Sequence, residues 1–86
     1  MNIYFSDLFL DGVQRLSFDA KKALKKKLDL LADNPKHPSL RTKKIKGRED
    51  IFEASVNMDI RITWEFYEDG ILLRNIGRHD KTLNNP

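Results

Sequence analysis

The sequence predicts an α+β fold in the order β-α-α-β-β-β, with an N-terminal αα-hairpin packed on one face of a small, mostly antiparallel sheet. Three observations predict it. Apolar residues recur at helical spacing before Asp33 and at a spacing of two beyond Gly47. Ser6 and Ser17 stand where helix N-caps are needed, and Asp69-Gly70 separates the last two strand-like stretches as a hairpin turn. A chain of 86 residues has room for a single domain, 1–86, and no second.

Taken in order, Ile3-Tyr4-Phe5 reads as a short strand. Ser6 caps a helix through Leu8, Phe9, Val13 and Leu16, weakened at Gly12. Ser17 caps a second helix from Phe18 to about Ala32, in which Ala20, Ala23, Leu24, Leu28 and Leu31 form an apolar stripe while Lys21, Lys22, Lys25 and Lys26 face water. Asp33-Asn34-Pro35 stops this helix, and Pro38 prolongs the break by pushing its predecessor out of helical geometry. Lys36 to Gly47 is expected to be a loop.

Two half-buried strands follow, one with Phe52, Ala54 and Val56 in its apolar row, the other with Ile60, Ile62, Trp64 and Phe66. If both rows face the helices, opposed residues share parity. That condition predicts a three-residue loop, Asn57-Met58-Asp59, sets Ser55 opposite Arg61, and leaves Glu53 diagonal to Arg61. A two-residue turn at Asp69-Gly70 then sets Glu65 opposite Arg74 and Arg61 opposite Arg78, with the last strand running from Ile71 to about Arg78. The open face gathers Glu53, Ser55, Arg61 and Arg78, with His79 just past the strand end. Trp64 and Phe66 are expected to be buried under Leu24, Leu28 and Leu31, as packing residues rather than platforms for bases.

Charge is unevenly placed. Between Lys21 and Arg48 eleven Lys and Arg face only Asp29 and Asp33, whereas the rest of the chain is net acidic, so the overall +3 hides a strongly basic segment. Such a segment suits a polyanion, which gains affinity by releasing counterions, although a lysine-rich helix face is often simply solvated. The absence of cysteine excludes disulfides and zinc-cysteine sites. The N-terminus lacks the character of a signal peptide and no apolar run is long enough to span a membrane, so a cytoplasmic protein without membrane contacts is expected.

Phosphate-binding glycine loops are absent, and the two histidines, His37 and His79, are far apart in sequence, which argues against a metal site or other cofactor. His37, in a proline-rich turn, is expected to be structural. Arg41, Lys43, Lys44, Lys46 and Arg48 cluster around Ile45 as an apolar anchor and have the character of a phosphate-binding edge. RNA cleavage without metal needs a base for the 2′-hydroxyl, an acid for the departing 5′-oxygen and a cation for the phosphorane. Arg61 fits the last task through its fixed fork of donors. Glu53 and His79 fit the first two in either order; the structural alternative is a cross-strand ion pair of Glu53 with Arg61.

These parts together resemble a known family. "LADNPKHPSLRTKKIKG", "IFEASV", "IRITWEF" and "ILLRNIGRHD", in this order and covering essentially the whole chain, resemble the RelE/ParE toxins of type II toxin–antitoxin pairs. The resemblance implies the RelE-like fold, a cognate antitoxin partner in a hetero-oligomer, and action as a ribosome-dependent messenger-RNA endonuclease (mRNA interferase). The family also holds ParE-like gyrase inhibitors, and a degenerate toxin retaining only antitoxin binding is a further alternative. By position, Arg61 matches the arginine of the central-strand pattern implicated in stabilising the cleaved phosphate. His79 falls where YafQ-like toxins carry a catalytic histidine. Glu53 and Ser55 fall where RelE has lysines, and no tyrosine follows Tyr67, so the RelE chemistry does not transfer whole. The implied set is Glu53, Arg61 and His79 for catalysis, with Arg41, Lys43, Lys44, Lys46, Arg48, Ser55 and Arg78 on RNA.

Overall fold

The structure, a computed structural model, describes all 86 residues. Its elements are β1 (Asn2–Phe5), α1 (Asp7–Gln14), α2 (Phe18–Asp33), a 3-10 turn (Pro38–Leu40), β2 (Lys43–Lys44), β3 (Phe52–Ser55), β4 (Ile60–Tyr67), β5 (Gly70–Arg78) and α3 (His79–Asn84). The α+β class is as expected; β2 and α3 are additions. Two residues cannot display a strand period, and α3 buries only Thr82, so neither has a readable apolar pattern.

The starts of α1 and α2 are fixed by serine. The hydroxyl oxygen of Ser6 accepts from the Phe9 amide at 3.0 Å and that of Ser17 from the Ala20 amide at 3.1 Å, each satisfying a donor the helix cannot. Ser6 also donates to the Arg74 carbonyl at 2.6 Å, which ties the start of α1 to β5. Gly12 lies against the other half of this contact. A Cβ there would sit 2.7 Å from the side chain and 2.8 Å from the carbonyl oxygen of Ile76, so the glycine that weakens the helix lets it approach β5.

The sheet has five strands in the order β1-β5-β4-β3-β2, with β1 parallel to β5 and every other pair antiparallel. The lysines of β2 guard one edge against further pairing. On the helix-facing side, Phe9, Leu24, Leu31, Leu40, Ala54, Val56, Ile62, Trp64, Ile71, Leu73 and Ile76 form one core. Trp64 is buried and stacks on Phe52 with ring centres 4.7 Å apart. Phe66 shares that row but is 56% exposed, contrary to expectation. It lies at the hairpin end of β4, beyond the core, and meets Phe52 and Trp64 edge-on.

The β3–β4 register is as predicted, with Ser55 opposite Arg61 across the Asn57–Asp59 loop. The β4–β5 register is not. Tyr67 pairs with Gly70, so Glu68-Asp69 forms the turn; a bulge between Thr63 and Trp64 then leaves Arg74 unpaired and sets Arg61 opposite Gly77 and Glu65 opposite Leu72. Arg74 still reaches Glu65 at 2.7 Å, because its long side chain spans the offset.

The open face is also not bare. Thr82 lies where a Cβ on Gly77 would point, at 2.9 Å, and the carbonyl of Pro86 accepts from Thr63 Oγ1 at 3.2 Å and Arg74 Nε at 3.0 Å. Thus α3 and the residues after it cover part of the face that carries Arg61.

At the opposite end, the Asp69 carboxylate accepts from the Asn2 amide and the Tyr4 hydroxyl, both at 2.5 Å, clamping β1 to the β4–β5 turn. The Tyr4 hydrogen bond, then that of Asn2, holds Asp69 below its ordinary 3.8, and the same bond to Asp69 holds Tyr4 above 10.0. A depressed acid stabilises the fold above its unfolded value and loses that contribution as pH falls through its folded value; a raised tyrosine does so below its unfolded value and loses it as pH rises. The clamp is therefore expected to act fully between these limits and to weaken below 3.8 and above 10.0. Asp69→Asn should flatten the acid limb of a stability-against-pH curve. An unchanged acid limb would show that the clamp contributes nothing.

Candidate functional site

The site grows out of the β3–β4 hairpin. Arg61 is the second residue of β4 and points to the open face beside Ser55. Its guanidinium is held from one side, with Nη1 donating to the carbonyls of Asn57 at 2.6 Å, Met58 at 3.1 Å and Ile60 at 3.2 Å. Nη2 and Nε make no hydrogen bond to the protein. The side chain is pinned by one corner with the fork's other edge left for a ligand, the arrangement that recognises a phosphate in two places.

Arg61 lines a cleft of about 320 Å³ together with Lys27, Ser39, Arg41, Ser55 and the Asn57-Met58 backbone. Three elements bring its cations together: Lys27 from α2, Arg41 from the end of the 3-10 turn and Arg61 from β4. Arg41 adopts a left-handed backbone with φ 52°, which turns the chain from the 3-10 turn into β2. His37 caps that turn, its Nδ1 accepting from the Ser39 amide at 3.2 Å, in the structural role expected of it. Lys27 was not singled out by sequence. It lies among the helix lysines, and only its contact with the Ser39 carbonyl at 2.9 Å shows that it leans toward the cleft.

The structure brings only part of the predicted set together. Arg61, Ser55 and Arg41 share the cleft, and Lys43, Lys44, Lys46 and Arg48 are exposed along the adjoining edge, anchored by buried Ile45. Glu53 does not pair with Arg61. It is 6% exposed, lies opposite Lys43 and Thr63, and has Lys43 Nζ at 3.8 Å as its ionic partner. The expected diagonal contact fails because the Asn57–Asp59 loop claims the guanidinium.

Arg78 is also misplaced. The bulge at Arg74 shifts the parity of β5, sets Arg78 opposite Ile60 on the helix side, and directs it to a separate groove of about 590 Å³ with Arg15, Leu16 and Lys81. His79 begins α3 rather than trailing a strand. Its amide donates to the Asp59 carbonyl at 3.1 Å, and its exposed ring has Nδ1 3.2 Å from Asp80 Oδ1. Arg61 and His79 thus share an anchor, the Asn57–Asp59 loop, whereas Glu53 stands apart on β3.

No protein-family model matches the sequence, and no match is found among curated protein sequences. Solved structures do match. The E. coli DinJ-YafQ complex aligns with a TM-score of 0.74 at 17% identity, covering 93% of this chain and 94% of the other. The RelB-RelE antitoxin-toxin complex from Methanococcus jannaschii aligns with a TM-score of 0.72 at 20% identity and 95% coverage of both chains. The chain has the RelE/ParE toxin fold. A YoeB/ParE toxin from Agrobacterium tumefaciens has the same fold, with a TM-score of 0.79 at 10% identity over 92% of this chain and 99% of the other. That similarity persists at such low identity because the fold asks for a pattern, a helical hairpin on alternating strands, and for few particular residues. No helix is long and apolar enough to cross a membrane.

Proposed function

We propose that the chain is the toxin of a type II toxin–antitoxin pair and cleaves messenger RNA on the ribosome without a metal. The observation that carries this reading is the held fork of Arg61 in a cleft that also contains Lys27, Arg41 and Ser55. A site built to bind a phosphodiester needs converging cations, and one built to cleave it needs a donor whose geometry is set before charge develops. In the proposed reaction the 2′-hydroxyl loses its proton to a base and attacks the adjacent phosphorus. Arg61 takes up the charge of the phosphorane. The bond to the 5′-oxygen breaks as an acid protonates it, leaving a 2′,3′-cyclic phosphate and a 5′-hydroxyl. His79, whose amide is held by the same loop as Arg61, is assigned one proton transfer; the other is assigned to Glu53, which must first part from Lys43 to reach the RNA. The exposed edge from Lys43 to Arg48 holds flanking phosphates, and a cognate antitoxin is the protein partner.

One observation favours a second reading. Glu53 is shielded, paired with Lys43 and absent from the Arg61 cleft, as suits a ParE-like inhibitor that needs no acid–base set. Primer extension after induction separates the two. New messenger-RNA ends that vanish in Arg61→Ala support the nuclease; growth arrest with intact messenger RNA overturns it.

The basic edge carries its own expectation. Replacing Lys44, Lys46 and Arg48 together by alanine should weaken ribosome binding and reduce the log–log salt slope by about 2 to 3, since each phosphate contact contributes roughly 0.7 to 0.9. All three are exposed and unpaired, so the folding midpoint should hardly move. Lys43→Ala is the contrast, because it leaves the shielded Glu53 carboxylate without its counter-ion. If the triple variant unfolds instead, the edge belongs to the fold.

A further inference from the structure

We infer that Asn57 is a positioning residue that holds the Arg61 fork and the backbone of His79 in one register. The inference rests on the nuclease reading above. Asn57 follows Val56 in the segment between β3 and β4, and its side-chain Oδ1 accepts from two main-chain amides, Asp59 at 2.9 Å and Ile60 at 2.8 Å. A peptide unit is planar and trans, so fixing its N–H fixes the direction of its C=O, which points the opposite way. The Asp59 N–H belongs to the same plane as the Met58 carbonyl, which accepts from Arg61 Nη1 at 3.1 Å. The Ile60 N–H belongs to the same plane as the Asp59 carbonyl, which accepts from the His79 amide at 3.1 Å. One oxygen therefore orients two peptide planes, one aimed at the arginine and the other at the histidine.

The main-chain carbonyls of Asn57 itself, 2.6 Å from Nη1, and of Ile60, 3.2 Å away, complete the hold on the guanidinium. No other side chain bonds to the loop's amides, and Met58, 91% exposed, has no packing with which to fix it. Without the Asn57 oxygen both planes lose their only side-chain tether and keep main-chain contacts alone, so the reference shared by Arg61 and His79 is loosened while their own side chains remain.

The task needs an acceptor oxygen at the reach of Asn57 Oδ1. Aspartate places an acceptor oxygen at the same reach; glutamine carries the same group one methylene farther; alanine has none. The test is single-turnover cleavage of a 5′-labelled messenger RNA on purified ribosomes, with ribosome affinity and hydrogen exchange of the His79 amide measured on the same proteins. Asn57→Ala and Asn57→Gln are expected to cleave roughly ten- to a hundredfold more slowly. Ribosome affinity should stay within about twofold, and the His79 amide should exchange faster. Asn57→Asp should restore most of the rate and the protection together.

A merely structural role would lower stability and affinity alongside rate, and aspartate would not selectively rescue the latter; that result overturns the inference. So does wild-type cleavage by Asn57→Ala when Arg61→Ala is inactive, an outcome that leaves the nuclease reading standing. If the wild-type protein itself leaves the RNA intact, the nuclease reading falls and the assignment of Asn57 falls with it.

Discussion

If the chain is the proposed nuclease, Arg61→Ala is expected to reduce the rate of messenger-RNA cleavage on the ribosome by about 10² to 10³, the range typical for removing one preorganised donor to a developing anion. Binding should change far less. On the nuclease reading, Lys27, Arg41 and the exposed edge from Lys43 to Arg48 would still meet the RNA, acting on the ground state and the transition state alike. Folding should also survive, because the loss is confined to hydrogen bonds at a part-exposed guanidinium, worth about 1 kcal/mol net. Arg61→Lys should recover little of the rate: an ammonium keeps the charge but cannot grip the loop with one nitrogen while offering two others to a phosphate. Single-turnover rates and ribosome affinities for the three proteins settle the matter. A fall in affinity that accounts for the whole loss of activity would make Arg61 a binding residue only.

What sequence could and could not disclose about this site has a physical basis. Ser6 and Ser17 were legible because a hydroxyl before an amphipathic run has one good use, and the Asn57–Asp59 loop was legible because parity allows few loop lengths. Arg61 was placed opposite Ser55 for the same reason. The hold on its guanidinium was not foreseeable, since backbone carbonyls leave no trace in the residue pattern. Nor was the bulge at Arg74: Ile71, Leu72 and Leu73 are apolar in succession, so β5 does not announce which face is which, and Arg78 was assigned to the wrong side. Glu53 presents the reverse difficulty. A glutamate in alternation reads as solvent-facing, yet it is buried in the sheet beside Lys43.

Gly70 is the residue at which the two readings of the last hairpin part most sharply, and Gly70→Ala is expected to be severely destabilising. Read as the second member of an Asp-Gly turn, it would serve to reach positive φ. In the structure it is a strand residue, paired with Tyr67 and, on its other side, with Asn2 of β1. The positive φ of the turn belongs instead to Glu68, at 51°. Gly70 is needed for proximity, because a Cβ there would lie 1.8 Å from the Asn2 carbonyl oxygen and 2.7 Å from its carbon. Rotating a side chain cannot relieve a contact with backbone, so β1 must move. β1 is an edge strand of four residues whose register with β5 runs from Asn2 to Phe5, and its displacement also disrupts the packing of Ile3. Overpacking of this kind reaches about 3 kcal/mol or more. In a chain of this size that corresponds to a fall of about 10 °C or more in the midpoint of thermal unfolding. Glu68→Gly should act in the opposite sense and raise stability by up to about 1 kcal/mol, because it relieves a left-handed backbone that glycine adopts freely. The observed register requires both signs. If Gly70→Ala is tolerated, Gly70 does not lie against β1, and the alternative register, with Arg61 opposite Arg78, would have to be restored.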